Sequence, residues 1–169
     1  MSITKVTAAD IPELIDLVNS AYRGEESKKG WTSEAYLLRG IRIDEATLSG
    51  YLQQKNVTIL KYTDAIDKII GTVYLEIKGN MLYLGMLSVS PVVQSKGTGR
   101  ALLQEAEVFA KAHNCDKISM TVISVRSELI SWYERRGYVF TGEMQPFQGD
   151  GKFGESDQPL EFIVMEKTL

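Results

Sequence analysis

The stretch Leu84–Ala101 reads LGMLSVSPVVQSKGTGRA, and the change of pattern inside it decides the fold. Apolar residues run to Val89, Pro91 stops them, Gly97 and Gly99 follow, and good helix formers begin at Arg100-Ala101. A strand that passes through a glycine turn into a helix leaves the first helical N–H groups without intrahelical acceptors, where the aligned peptide dipoles also favour an anion. Glycine tolerates positive φ and lets a phosphate approach the backbone closely. Lys96 and Arg100 flank the turn and add positive charge. The stretch therefore predicts a cradle for a phosphate or pyrophosphate; the plainer reading is a glycine turn that caps a helix. A Walker A loop is excluded because Lys96 precedes the glycines instead of following them. A dinucleotide-binding loop fails as well, since Leu102 stands where its third glycine belongs and the preceding strand follows a meander.

Upstream, Ser2–Val6 reads as strand 1, with Thr7 and Asp10 spaced as a capping box. Ile11, Leu14, Ile15, Val18 and Tyr22 recur at helical spacing, giving a first helix that ends near Gly24. A second helical region falls within Glu34–Gln54, interrupted around Gly40. Strands 2, 3 and 4 occupy Val57–Tyr62, Ile69–Ile77 and Met81–Val89, the last two joined by the turn dipeptide Gly79-Asn80. This meander predicts antiparallel pairing. Downstream, a helix over Gly97–His113 buries Leu102, Leu103, Ala106, Phe109 and Ala110 and crosses over to strand 5, Lys117–Val122, which should lie parallel to its neighbour. A helix over Arg126–Arg136 ends at Gly137, and Tyr138–Glu143 with Leu160–Lys167 close the sheet as strands 6 and 7.

Composition narrows the function classes. The 169 residues suit one domain, and 44% hydrophobic with 24% charged residues supports a real core. A net charge of −3 argues against broad nucleic-acid or anionic-membrane binding. One cysteine, Cys115, cannot form an internal disulfide, which fits a reducing, cytoplasmic setting. One histidine, His113, leaves little for a His-rich metal site or a Ser-His-Asp triad, so no metal is expected. No apolar run approaches the roughly 20 residues of a membrane span, and Met1–Asp10 has no signal-peptide character.

Gln94-Ser95-Lys96-Gly97-Thr98-Gly99 resembles the Q/R-x-x-G-x-G/A signature of the GNAT superfamily of acyl-CoA-dependent N-acyltransferases. Leu87-x-Val89 before it and Trp132-Tyr133-x-x-x-Gly137-Tyr138 after it extend the resemblance over Val73–Phe140. The resemblance implies an α/β fold over residues 1–169, with a mixed, mostly antiparallel sheet of about seven strands, splayed between strands 4 and 5 near a bulge at Leu87 and flanked by about four helices. It implies that main-chain groups of Leu87, Ser88 and Val89 pair with the pantetheine arm of acetyl-CoA. The loop Gln94, Ser95, Lys96, Gly97, Thr98, Gly99 and Arg100 would bind CoA, its amides from Ser95 onward holding the pyrophosphate. Tyr133 occupies the family's general-acid position, although an aromatic residue beside Trp132 also suits simple packing. Arg126, where the family often has Asn, lies seven residues before Tyr133, about two helical turns and so on the same face. It either reaches a CoA phosphate or is a solvated helix charge.

The implied activity is direct transfer of an acetyl group from acetyl-CoA to a primary amine, of a small molecule or an amino acid. A protein or peptide acceptor and a non-catalytic acyl-CoA-binding module are the competing readings. Strand 4 offers no carboxylate as base over Met81–Leu84; Glu76 and Glu161 are the nearest candidates, and Tyr83 could orient a water. Tyr22 is either part of the pocket floor or, the favoured reading, a packing residue of the first helix, and Cys115 is read as buried packing rather than a nucleophile. The segments 24–33 and 144–159, with Glu25, Glu26, Trp31, Phe147, Asp150, Phe153, Glu155 and Asp157, should roof the acceptor side, either as acidic and aromatic groups suited to a cationic amine or as loops pinned by their aromatics. The chain is expected as a monomer or as a homodimer paired along strand 7.

Overall fold

Along Met81–Val89 burial alternates strictly, the period of a strand, and this strand organises the architecture. A computed structural model describes residues 1–22, 42–93, 96–147, 156 and 159–169. Its elements are β1 (Ser2–Lys5), α1 (Ile11–Tyr22), α2 (Glu45–Gln53), β2 (Val57–Thr63), β3 (Ile69–Lys78), β4 (Met81–Val89), α3 (Thr98–Ala112), β5 (Lys117–Ile123), α4 (Ser127–Glu134), β6 (Val139–Pro146) and β7 (Glu161–Thr168). A short 3₁₀ turn, Ala8–Asp10, leads into α1; there the Thr7 N–H donates to the Asp10 carboxylate at 2.9 Å. Asp44 caps α2 by accepting from the Thr47 N–H at 2.9 Å.

The seven strands form one sheet in the order β1-β2-β3-β4-β5-β7-β6. Every pair is antiparallel except β4–β5, which is parallel. That parallel ladder covers only Met81–Tyr83 against Lys117–Ser119, although both strands continue, so the sheet splays open beyond it. On its other side β4 slips by one residue against β3 between the pairs Tyr74–Gly85 and Thr72–Ser88. The extra residue lies at Met86-Leu87, where Met86 takes φ of 51°. Such a bulge bends its strand and reverses which face each later residue points to.

One sheet face carries α3 and α4 on a core including Val73, Leu75, Leu82, Leu102, Ala106, Ile118 and Met120. The other carries α1 and α2 over Leu14, Val18, Leu48, Ile59, Tyr74 and Met86. The predicted elements agree closely among the described residues, with α1 described as far as Tyr22 and the described part of the second helical region being α2. Gly40 and the segment after Tyr22, with Glu25, Glu26 and Trp31, lie outside the described residues, as do Asp150, Phe153, Glu155 and Asp157. The Phe147 ring lies 5.4 Å from the Phe162 ring.

Strand 7 as a dimer edge is corrected. β7 lies between β5 and β6, with Ile163, Val164 and Met165 consecutively buried, whereas β6 is exposed at every position and forms the edge. A run buried on both faces belongs inside a sheet. Among the described residues no helix is long and apolar enough to cross a membrane, and no group of three or more His, Cys, Asp or Glu could hold a metal ion.

Candidate active site

The splay between β4 and β5 opens a cleft of about 530 Å³. Its walls come from the end of β4 at Leu87, Ser88 and Val89, the start of α3 at Gly97, Gly99 and Arg100, and the face of α4 bearing Arg126, Trp132 and Tyr133. Gln94 and Ser95 lie outside the described residues. Lys96 is exposed beside the turn. Gly97 precedes α3 with φ of 86° and nothing within 4 Å of where a Cβ would stand, so the backbone conformation, not space, requires glycine there.

The start of α3 is set from β3. A Cβ on Gly71 would lie 2.8 Å from Thr98 Cγ2 and 3.0 Å from Leu102 Cδ1, so only glycine lets the helix come this close. Thr98 itself is buried against the sheet rather than turned to the cleft.

Tyr133 projects from α4 with only 5% of its surface exposed. Its ring meets Trp132 and Tyr138 edge-on, with centroids 5.1 and 5.8 Å away. Burial pushes its phenol well above the ordinary value of 10.0, reinforced by the neighbouring Tyr22 and Tyr138, while Arg126 pulls the other way. The group is therefore a protonated phenol at neutral pH.

Arg126 caps the start of α4 and is 5% exposed, with its Nε 3.7 Å from the Glu128 carboxylate. The solvated-charge alternative is thereby overturned, because the guanidinium is enclosed in the wall of the cleft beside Tyr133.

Tyr22 is more than packing: its hydroxyl donates to the Leu87 carbonyl at 2.6 Å and its side chain lines the cleft. This bond fixes the bulged part of β4 where the ladder to β5 has ended.

Arg100, expected in the CoA-binding loop, is joined by Arg135 and Arg136, which sequence reading did not assign to the site. Arg100, Arg135 and Arg136 line both the cleft and an adjoining cavity of about 460 Å³ that Lys167 also borders. Arg136 stacks on Trp132, its guanidinium carbon 3.8 Å from the ring centroid, and its Nη1 donates to the Trp132 carbonyl at 2.8 Å. Burial, then the charges of Arg135 and Arg100, hold Arg136 below the usual arginine range. Three guanidinium groups gathered this way favour a bound anion. The Arg135-Arg136 pair just ahead of Gly137 was the available signal.

The base candidates lie elsewhere. Glu76 accepts from the Tyr74 hydroxyl at 2.8 Å and lies 3.2 Å from Lys78 Nζ, while Glu161 is exposed at the start of β7. The Tyr83 hydroxyl stands 3.4 Å from Thr121 Oγ1. Cys115 is buried in the α3-side core, its thiol pushed up by burial and by the adjacent Asp116.

A seven-stranded mixed sheet that opens beside a parallel β4–β5 pair, with a bulge facing a glycine turn, defines a GNAT-type acyltransferase fold. The family model of the acetyltransferase (GNAT) domain matches residues 34–151, and the chain belongs to that family. Among solved structures, the ribosomal-protein-S18-alanine N-acetyltransferase of Escherichia coli is similar with a TM-score of 0.74 at 15% identity, covering 99% of this chain and 92% of that one. The ribosomal-protein-alanine N-acetyltransferase of Brucella melitensis gives 0.73 at 20% identity over 100% of both chains. The PaiA N-acetyltransferase of Thermoplasma acidophilum, in complex with coenzyme A, gives 0.65 at 22% identity over 100% of both. At these identities the likeness is one of fold. In sequence, the uncharacterized protein YdhI of Bacillus subtilis (strain 168) is 33% identical over 73 residues, spanning 43% of this chain and 44% of that protein.

Proposed function

We propose that the protein transfers an acetyl group from acetyl-CoA directly to a primary amine of a small molecule or amino acid. The observation that carries this reading is the meeting, in one cleft, of a bulged strand end, a positive-φ glycine turn at a helix start, and a buried phenol. These features suit CoA. Main-chain groups of Leu87, Ser88 and Val89, which line the cleft beyond the end of the β4–β5 ladder, would receive the pantetheine arm. Gln94, Ser95, Lys96, Gly97, Thr98, Gly99 and Arg100 would hold the pyrophosphate, and Arg135 and Arg136 would extend that positive field to a further phosphate.

The amine nitrogen attacks the thioester carbonyl carbon, the carbon–sulfur bond breaks, and the ammonium proton passes to solvent. Tyr133 donates its phenolic proton to the departing sulfur and is reprotonated from water. Its buried position keeps that proton in place, and Arg126 makes it a better donor than burial alone would leave it. Arg126 also favours negative charge developing on the sulfur. No acyl-enzyme is needed, in keeping with the burial of Cys115 in the core. The reading takes residues 1–169 as one cytoplasmic domain, monomeric or homodimeric, without metal, nucleic-acid or membrane partners.

Titration calorimetry with acetyl-CoA, with CoA and ATP as controls, tests it. Saturable binding of both CoA species is expected. Arg136→Gln should weaken CoA by about 10- to 100-fold and weaken dephospho-CoA, which lacks the 3′-phosphate, much less. Absence of CoA binding overturns the reading. Tight binding with no transfer to any amine or peptide favours the non-catalytic module, and transfer confined to peptides favours a protein acceptor.

A further inference from the structure

The α1-side of β4 carries a third, smaller cavity of about 120 Å³, bounded by Arg42, Tyr51, Tyr74, Tyr83, Gly85 and Met86. The bulge separates it from the cleft: Met86 borders the cavity and Leu87, the next residue, borders the cleft. Tyr22 joins the two spaces. Its hydroxyl holds the Leu87 carbonyl while the Arg42 guanidinium carbon lies 5.3 Å from its ring centroid.

The cavity is built, not incidental. Tyr51 and Tyr74 meet edge-on with centroids 4.8 Å apart, and Tyr74 meets Tyr83 at 6.3 Å. A Cβ on Gly85 would come 3.2 Å from Tyr83 Cε1, so the missing side chain is what leaves the ring this close to the strand. Arg42 is anchored through its backbone N–H, which donates to Asn19 Oδ1 at 2.7 Å.

Charge gives the cavity a sign. The nearby carboxylate, Glu76, is engaged by Lys78 at 3.2 Å and by the Tyr74 hydroxyl at 2.8 Å. Arg42 makes no ion pair with a carboxylate of the described residues. Among the residues that line the cavity, Arg42 is therefore the charged one, beside three tyrosines. At about 120 Å³, against about 530 Å³ for the cleft, the cavity suits the end group of a small molecule.

We propose that this cavity is the acceptor's specificity pocket and that the acceptor is a carboxylate-bearing amine of amino-acid type. Arg42 meets the carboxylate, the rings of Tyr51, Tyr74 and Tyr83 enclose the apolar stem, and the amine is directed across the bulge at Met86-Leu87 to the cleft. Arg42 is a specificity-determining residue, separate from the groups that act on the thioester. This assignment rests on the acetyltransferase reading.

The test uses L-amino acids with small apolar side chains, each beside its amide and its decarboxylated amine. With the wild-type protein and acetyl-CoA, kcat/KM for the amino acids should exceed that for their carboxylate-free partners by at least about 10-fold. Arg42→Gln should raise KM for the amino acids by about 10- to 100-fold, leave kcat and the carboxylate-free amines nearly unchanged, and so erase the preference. Gly85→Ala should raise KM for every acceptor while leaving acetyl-CoA affinity alone. Carboxylate-free amines used equally well or better overturn the assignment, as does an Arg42→Gln variant that slows all acceptors alike. Where no turnover occurs, calorimetry with the same compounds in the presence of CoA decides, and failure to discriminate the carboxylate overturns it. Acetyl-CoA titration of the same sample reports separately on the underlying function.

Discussion

Gly71→Ala is the perturbation that connects the sheet to the glycine turn. The new methyl would stand 2.8 Å from Thr98 Cγ2 and 3.0 Å from Leu102 Cδ1, well inside the roughly 3.5–4.0 Å at which carbon atoms attract. Neither neighbour can yield easily, since Thr98 begins α3 and Leu102 is fully buried. Overpacking of this kind costs about 1–3 kcal/mol, against a gain of about 0.5–1 kcal/mol for alanine over glycine inside a strand. The net loss is about 0.5–2 kcal/mol, or a fall in Tm of about 1–8 °C. Because the displaced helix start carries Gly97–Arg100, CoA affinity should also fall several-fold. Thr98→Ser removes the methyl that clashes, so Gly71→Ala/Thr98→Ser should be less destabilised than the two single changes add up to, by about 0.5 kcal/mol or more. Urea unfolding of the four proteins, with CoA titrations in parallel, measures both effects. A Gly71→Ala protein as stable as wild type, or strict additivity in the double variant, would refute the idea that this contact positions the turn.

Tyr133→Phe keeps the buried ring and removes only the proton donor, so kcat should drop about 10²- to 10⁴-fold with CoA affinity held. Because burial raises the phenol above its ordinary range, the loss should stay constant across about pH 6–9 rather than appear as an alkaline limb; a loss below about threefold sinks the role. Asp10→Asn probes the start of α1. Burial alone would raise the Asp10 carboxyl, but hydrogen bonds from Lys61 and Thr7 outweigh it and hold the group below 3.8. A lowered native value means the stabilisation is present above that ordinary value and lost as pH falls through the native one. The variant should therefore lose about 0.5–2 kcal/mol at neutral pH, with the gap to wild type closing on acidification, and a gap that widens in acid contradicts the sign.

Apolar runs and turn residues made most of the sheet legible. Met81–Val89 was readable because an apolar run bounded by Gly79-Asn80 and Pro91 reads as a strand, and Gly97 because positive φ at a helix start favours glycine. The family resemblance picked out Arg126 and Tyr133, helical spacing put them on one side, and both line the cleft. The contacts that escaped reading join residues far apart in the chain. Nothing near Tyr22 announces its bond to the Leu87 carbonyl, and nothing near Gly71 announces Thr98. The gathering of Arg100 with Arg135 and Arg136 likewise arises only when α3 and α4 flank one opening. The order of the last two strands was present in the letters: the apolar run Phe162–Met165 marks an interior strand and Thr141–Gln145 an outer one, but chain order suggested the reverse.

The bulge at Met86-Leu87 has a meaning for evolution and for engineering. Were one residue deleted there, β4 would recover an unbroken register against β3, straighten, and be free to extend its ladder to β5 past Tyr83 and Ser119. Such a chain would gain backbone hydrogen bonds and be the tighter sheet, yet the opening between the strands would be zipped shut. Selection for stability alone would thus erase this insertion. Its persistence would be a signature of selection for what enters the gap, and programs of stabilising mutation should leave this one irregularity untouched.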